Sequence, residues 1–442
     1  MLPANIGFLG ALLALGLLWL RLPVALVVGG VSVTGSLLLF ALGVPGATEG
    51  ATLIQSVLAM TSGLVDLIHS GDLLMLPLFI ALGNIAFYAG VTTRIHDAAA
   101  VWLRRLPGGL AMAAVMGCGG FSAISGSSVA CASTMGRICV PEMLRLGYDP
   151  KLATSSVAVG GTLGSLIPPS ILFILYGFFT ETPIAQLFMA GILPGLLSLA
   201  GMLLVIVWWV SSEPDCAPPC EGPAVSRTEA ALAAWPALLL FVVILGGLYS
   251  AILTATQAAL TCVVLTLIIG FVQQRLTLDV LWHGIRESLI QTGAILLIVV
   301  AAKLFLGFVE LSGAAEAIVT WAQRNGMTYF TMLCLVVMVF LVLGMFVDSI
   351  GILVLSLPFL VPLVHGFGMD PIWFGVIVVK LLEIGLITPP VGLNVFVIGN
   401  VTREVPIDGI FAGVARFLMV DVLVLLVLLL FPVIATLIPA SM

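Results

Sequence analysis

Apolar runs of about twenty residues, separated by short stretches of Gly, Pro and charge, recur along the whole chain, and runs of that length cross a bilayer as helices. The pattern predicts spans at about 4–20 and 24–42, a more mixed stretch at 49–70, and a span from Leu73 to about Ile95. Residues 107–147 can hold two short helices, but Ser-Gly-Ser-Ser at 125–128 interrupts them, which predicts a re-entrant hairpin with its polar tip at mid-membrane. A broken span at about 152–180, a span at about 184–210 and a Pro-rich loop to Arg227 close the first half. The second half gives spans at about 230–247 and 250–271. Residues 277–290 then place Leu278, Leu281, Trp282, Ile285 and Leu289 on one helical face and Asp279, His283 and Arg286 on another, which predicts a helix lying along the membrane surface. The pattern ends with a span at about 291–310, a second hairpin at about 327–365, a second broken span at about 371–398 and a last span at about 410–437.

The breaks carry the chemistry. GGTLGSLIPPS, from Gly160 to Ser170, sets Pro168 and Pro169 inside an apolar span. A proline there has no N–H to donate, and its ring strikes the carbonyl four residues back, so Gly164 and Ser165 are expected to lose their helical partners. Broken backbone at membrane depth survives only where protein or a polar cavity surrounds it. GLITPPVGLN, from Gly385 to Asn394, repeats the arrangement, with Pro389 and Pro390 expected to free Gly385 and Leu386. The offset of 221 residues also pairs Ser128 with Ser349, Pro141 with Pro362, Gly147 with Gly368, and Asp149-Pro150 with Asp370-Pro371. Matches concentrated at Gly, Pro and Asp point to two copies of one unit.

The expected organisation is all-α and polytopic: scaffold helices at 1–48, a first repeat at 49–210, a cytoplasmic loop at 211–228, linking scaffold helices at 229–276 and a second repeat at 277–437. The first repeat holds an arm helix, hairpin 107–147 and broken helix 152–180. The second holds arm 277–290, hairpin 327–365 and broken helix 371–398. Basic residues favour the cytoplasmic side of span ends. Arg104, Arg105, Arg145 and Lys151 flank the first hairpin, against only Arg324 and His365 at the second, so the repeats are expected to be inverted relative to each other.

Composition agrees: 61% of the 442 residues are hydrophobic and 8% charged, where soluble domains carry about 25% charged residues. The first 23 residues lack a basic n-region and a small-residue cleavage site, which favours a retained span over a signal peptide. No Lys/Arg run points to nucleic acid. Five of the seven cysteines lie in apolar segments, while Cys216 and Cys220 sit in EPDCAPPCEGP, read as an exposed linker with free thiols in preference to a metal or disulfide pair.

Inverted repeats, each with a discontinuous helix and a hairpin meeting near the midplane, are the pattern of a secondary transporter. Freed carbonyls suit Na+, and half-helices restarting after each break present positive N-termini that suit an anion. Asp348 and Ser349, with Gly344 at the same tip, are site candidates, the alternative for Asp348 being a helix cap. Ser125, Gly126, Ser127 and Ser128 either cap the second hairpin helix or border the site. Thr388 and Asn394 flank the second proline pair, where a hydroxyl or amide could ligate an ion. Lys380 and Glu383, three residues apart, are expected to neutralise one another. All four histidines are read as structural, near the membrane surfaces. No HExxH, P-loop or Gly-rich fingerprint argues for an enzyme, and a serine protease built on Ser127 lacks a His at that depth. A channel or ion exchanger of the same architecture is the alternative function.

SGSSVA at 125–130, GTLGSLIPPS, GMFVDS at 344–349, GMDPIWFGV at 368–376 and EIGLITPPVGLNVFV at 383–397 resemble the large membrane subunit of the tripartite ATP-independent periplasmic (TRAP) transporters, from about residue 50 to 437. The resemblance implies a bacterial inner-membrane symporter driven by Na+, with elevator-type motion of hairpins and broken helices against a static scaffold. It also implies an organic-acid substrate from a periplasmic binding protein and a small four-helix membrane subunit, expected here as a separate chain. Which acid is carried stays open among C4-dicarboxylates, sialic acid, keto acids and amino-sulfonates. Carried onto this chain, one Na+ site falls on Gly344, Gly385, Thr388 and Val391. Its repeat partners by the 221-residue offset are Ala123, Gly164, Ile167 and Ser170.

Overall fold

A computed structural model describes residues 2–43, 71–218, 226–402 and 405–442. The expected first arm helix within 49–70, together with Cys220 and Arg403, lies outside them. Among the described residues the chain is helical, and six helices are each long and apolar enough to cross a membrane.

Two helices, α1 (Leu2–Trp19) and α2 (Val24–Ala41), open the chain. The span expected at 73–95 is instead a bent pair, α3 (Met75–Tyr88) and α4 (Val91–Leu103), turned by 62°. Gly90, at φ +73, takes the left-handed backbone that this corner requires. The first hairpin is α5 (Gly109–Ser125) and α6 (Ser128–Arg145). The first broken helix is α7 (Pro150–Gly160), a 3-10 turn at Gly161–Ser165, and α8 (Ile171–Thr180). The 29-residue α9 (Ile184–Ser212) follows.

After α10 (Arg227–Ala233), α11 (Trp235–Tyr249) and α12 (Ala255–Val272) comes α13, which runs without interruption from Leu278 to Ser312. The sequence predicted a separate surface arm at 277–290. No proline or turn lies inside this stretch, so the amphipathic start and the apolar span propagate as one helix. At 1.5 Å per residue its length is about 52 Å, well beyond a hydrocarbon core of about 30 Å. Then come α14 (Ala314–Arg324) and the second hairpin, α15 (Tyr329–Gly344) and α16 (Ser349–Gly366). The second broken helix is α17 (Pro371–Gly385) and α18 (Leu393–Val401). The last span, α19 (Ile407–Leu430), ends before Pro432 and gives way to the short α20 (Val433–Thr436), so it is not continuous to 437.

The residues repeated at the 221-residue offset do the same local work twice. Asp149 caps α7, its Oδ1 accepting the Lys151 amide at 2.7 Å, and Asp370 caps α17 through the amides of Ile372 and Trp373 at 2.8 and 3.1 Å. The proline after each aspartate takes the first helical position, where a missing N–H does no harm. Gly147 and Gly368 end the two hairpins with positive φ. Both Pro-Pro bonds, Pro168–Pro169 and Pro389–Pro390, are cis.

The breaks also exchange helix halves between two apolar cores. One core holds α5, α6 and α7 together with Val395 and Ile398 of α18. The other holds the inner faces of α2, α3, α13, α16 and α17 together with Leu172 to Tyr176 of α8. Each broken helix thus starts in one core and finishes in the other, so both kinks fall on the seam between them. The loop after α9 also packs inward. Cys216 is buried rather than exposed, its carbonyl accepts the Asp149 amide at 2.8 Å, and burial pushes its thiol up to about 11. His96, expected near the surface, is buried beside Cys139, with its Nε2 3.7 Å from Glu142.

Candidate functional site

Both hairpin tips and both kinks meet at one cavity of about 130 Å3. Gly126, Ser127 and Ser128 of the first tip line it, as do Asp348 and Ser349 of the second, Ser165 of the first kink, and Leu386 and Leu393 beside the second. Five of the seven residues expected to touch substrate are therefore together. Ser125 is buried with an unpartnered hydroxyl and lines a larger adjoining cavity of about 610 Å3, which also borders Ser127, Ser133, Arg137, Asn84 and Gln291. Asn394 does not line the small cavity. It is fully buried, and its Nδ2 donates to the Ala158 carbonyl at 3.2 Å, so it ties α18 to α7.

Ser127 and Asp348 hold the starts of α6 and α16. Ser127 Oγ accepts the Ala130 amide at 3.4 Å and Asp348 Oδ2 accepts the Gly351 amide at 3.0 Å. Capping and lining are thus the same placement, because a helix that restarts at the cavity aims its free amides there. An anion at this point meets the N-terminal ends of α6 and α16, with serine hydroxyls beside them.

At the second kink the backbones of Gly344 and Gly385 touch. A Cβ on Gly385 would lie 2.6 Å from Gly344 Cα and 2.8 Å from its carbonyl oxygen. The Val391 amide donates to the Met345 carbonyl at 3.3 Å, and Thr388 Oγ1 donates to the Ile384 carbonyl at 2.6 Å. Gly344, Gly385, Thr388 and Val391 are thus drawn into one corner. The carbonyls expected to be free there are not bare: Gly385 accepts the Thr388 amide at 3.3 Å and Leu386 accepts the Asn394 amide at 3.0 Å. A carbonyl oxygen has a second lone pair, so these bonds leave room for a cation. Among the described residues no three His, Cys, Asp or Glu side chains form a metal cluster. An all-oxygen set of carbonyls and hydroxyls is the hard donor type that Na+ takes.

The first kink differs from its expected mirror image. A Cβ on Gly164 would lie 2.7 to 2.8 Å from the backbone of Ser127 and Ser128, so those residues pack directly against it. Two residues separate α5 from α6, but four separate α15 from α16, so the two tips do not superpose residue for residue. Ile171 donates to the Gly126 carbonyl at 3.2 Å, and Ser170 caps α8 by accepting the Phe173 amide at 3.2 Å. Ile167 is buried within the same turn.

Lys380 and Glu383 do not pair. Lys380 Nζ lies 2.5 Å from Asp421 of α19 and 3.1 Å from Ser198 of α9, with both charged groups 2% exposed. Glu383, 1% exposed, faces the other repeat: Ser128 Oγ lies 2.8 and 2.9 Å from its two carboxyl oxygens, and Ser165 Oγ lies 2.8 Å from that same Ser128 hydroxyl. A spacing of three puts both residues on adjoining parts of one helix surface, and each found a partner on a different helix. Asp421 and Ser198 were missed. The intramembrane carboxylate in FLMVDVLVLL was the available signal, since such a charge needs a partner.

The family model described as the DctM component of the tripartite ATP-independent periplasmic transporters matches residues 11–434. Over 391 residues the chain is 34% identical to the C4-dicarboxylate TRAP transporter large permease protein DctM of Pseudomonas aeruginosa, covering 87% of this chain and 88% of that one. It is 29% identical over 427 residues to the ectoine TRAP transporter large permease protein TeaC of Halomonas elongata, covering 95% and 96%. Among solved structures, the YdaH transporter of Alcanivorax borkumensis shares the fold at 14% identity, with a TM-score of 0.63 over 97% of this chain and 98% of that chain.

Proposed function

Because the chain belongs to the DctM component family of the tripartite ATP-independent periplasmic transporters, inner-membrane permeases and not enzymes, we propose that it performs Na+-coupled uptake of an organic acid. The observation that carries this reading is the convergence of two capped hairpin tips and two proline kinks on one cavity. The tips offer helix N-termini and hydroxyls to an anion, and the kinks offer oxygens to cations, so each charge favours the other's binding. That mutual preference is what couples a downhill ion to an uphill solute.

In this reading Na+ is held at the second kink by Gly344, Gly385, Thr388 and Val391. A second Na+ is held at the first kink by Gly164 and Ile167, with the Ser127–Ser128 backbone in the part that symmetry assigned to Ala123 and Ser170 at the rim. The substrate anion contacts Gly126, Ser127, Ser128, Asp348 and Ser349. Hairpins and broken helices move as a unit against the scaffold built on α2, α3 and α13. A periplasmic binding protein delivers the acid, and a small membrane subunit packs against the scaffold. Relatives are named for C4-dicarboxylates and ectoine, and a C4-dicarboxylate is the first substrate to try.

Reconstitution tests the proposal. Proteoliposomes holding this chain and the small subunit, with binding protein outside, are expected to accumulate a labelled C4-dicarboxylate or another organic acid only under an inward Na+ gradient. Accumulation that needs neither Na+ nor binding protein, or a passive Na+ conductance without substrate movement, overturns it.

A further inference from the structure

The fully buried Glu383 belongs to the second repeat, yet its partner is Ser128 at the first hairpin tip, whose hydroxyl also meets Ser165 at the first kink. Its own-helix neighbour Lys380 is engaged by Asp421. We infer that Glu383 is a positioning residue for the first kink: it fixes Ser128 and Ser165, and through them the backbone that would hold Na+, so that the second repeat sets the ion affinity of the first. This inference rests on the proposed Na+ coupling.

The geometry supports it in three ways. Ser128 Oγ is 2.8 Å from Ser165 Oγ as well as 2.8 and 2.9 Å from the carboxyl oxygens, so one hydroxyl joins tip, kink and α17. The backbones of tip and kink are packed together without slack, since a Cβ on Gly164 would meet Ser128 N at 2.7 Å. A displacement of Ser128 therefore moves the oxygens next to Gly164. Finally, Glu383 itself lines neither the 130 Å3 cavity nor the 610 Å3 one, so it acts on the site without touching substrate. The corresponding residue in the first repeat is Thr162, whose hydroxyl bonds the Val159 carbonyl of its own helix at 2.7 Å. The link runs one way.

The experiment separates Na+ affinity from substrate affinity in the reconstituted transporter. Glu383→Ala is expected to raise the half-saturating Na+ concentration by roughly tenfold, the scale of losing two buried hydrogen bonds, while the substrate KM at saturating Na+ rises by a clearly smaller factor, since Ser128 is the one substrate contact it releases. Glu383→Gln, which keeps two hydrogen-bonding atoms at the same reach, is expected to recover most of the Na+ affinity. Ser128→Ala added to Glu383→Ala is expected to worsen it little, because both changes break one link. Equal rises in both constants, no recovery in Glu383→Gln, or fully additive losses in the double variant overturn the inference. A wild type whose uptake ignores Na+ removes the proposed function instead, and an unshifted Na+ requirement in Glu383→Ala beside a Na+-dependent wild type removes the inference alone.

Discussion

Every residue of the first kink from Gly161 to Ser170 is buried, whereas at the second Pro389 and Pro390 are exposed and Thr388 and Val391 partly so. Both kinks are built on the same Pro-Pro break, so the difference comes from what covers them. A two-residue tip lays Gly126 against Pro169, with a would-be Cβ 2.7 Å from the Pro169 carbonyl, and Glu383 seals the arrangement from the other repeat. The four-residue tip Met345–Asp348 reaches the second kink through one backbone bond, Val391 to Met345, and leaves Thr388 open. Duplicated sequence therefore fixes where the backbone breaks, and the tip lengths decide how closed each break is.

The sharpest way to break this comparison is at the glycine contact of the open kink. Gly385→Ala drives a methyl into the Gly344 backbone at 2.6 Å, where no side chain can yield. Uptake is expected to be lost, while Gly16→Ala, with nothing within 4 Å, leaves uptake and thermal stability as they were. Normal uptake by Gly385→Ala would show that the two backbones need not touch.

Next in size is the buried ion pair, which belongs to the second repeat alone. Lys380→Met leaves Asp421 without its cation inside the protein, a loss of about 3–5 kcal/mol. Thermal unfolding in detergent is expected to fall by several degrees and to recover much of that in Lys380→Met/Asp421→Leu. A single variant as stable as the parent contradicts the pairing.

Smaller effects separate the two tip serines that the repeat makes equivalent. Ser128 bonds Glu383 and Ser165 at 2.8 to 2.9 Å, but Ser349 reaches only the Leu382 carbonyl at 3.5 Å. Half-saturating Na+ is expected to rise roughly tenfold in Ser128→Ala and less than about threefold in Ser349→Ala, on the scale of one strong against one weak hydrogen bond. Equal shifts would mean that the repeats work alike.

Much of this was legible in the sequence because the fold is written in backbone chemistry. Proline pairs, Asp-Pro caps and terminal glycines act through rules that hold wherever they occur, so the breaks, the hairpins and their recurrence could be read residue by residue. The partners of polar side chains could not. Lys380 and Glu383 are neighbours in sequence, but the choice between each other and Asp421, Ser198, Ser128 or Ser165 depends on which helices pack around α17. Likewise the 221-residue offset does not register a first tip that is two residues shorter than the second. The continuous α13 was hidden for a related reason: an amphipathic turn and an apolar span look like two elements when only their polarity is compared.

The central claim is that two unequal kinks each hold a cation, and counting bound ions addresses it most directly. Equilibrium binding of radioactive Na+ to the purified transporter is expected to saturate at no fewer than one ion per kink. In Thr388→Ala, changed only at the open kink, the count is expected to fall by one while binding at the closed kink persists. The absence of saturable Na+ binding, or a Thr388→Ala variant with undiminished count and affinity, would contradict the account.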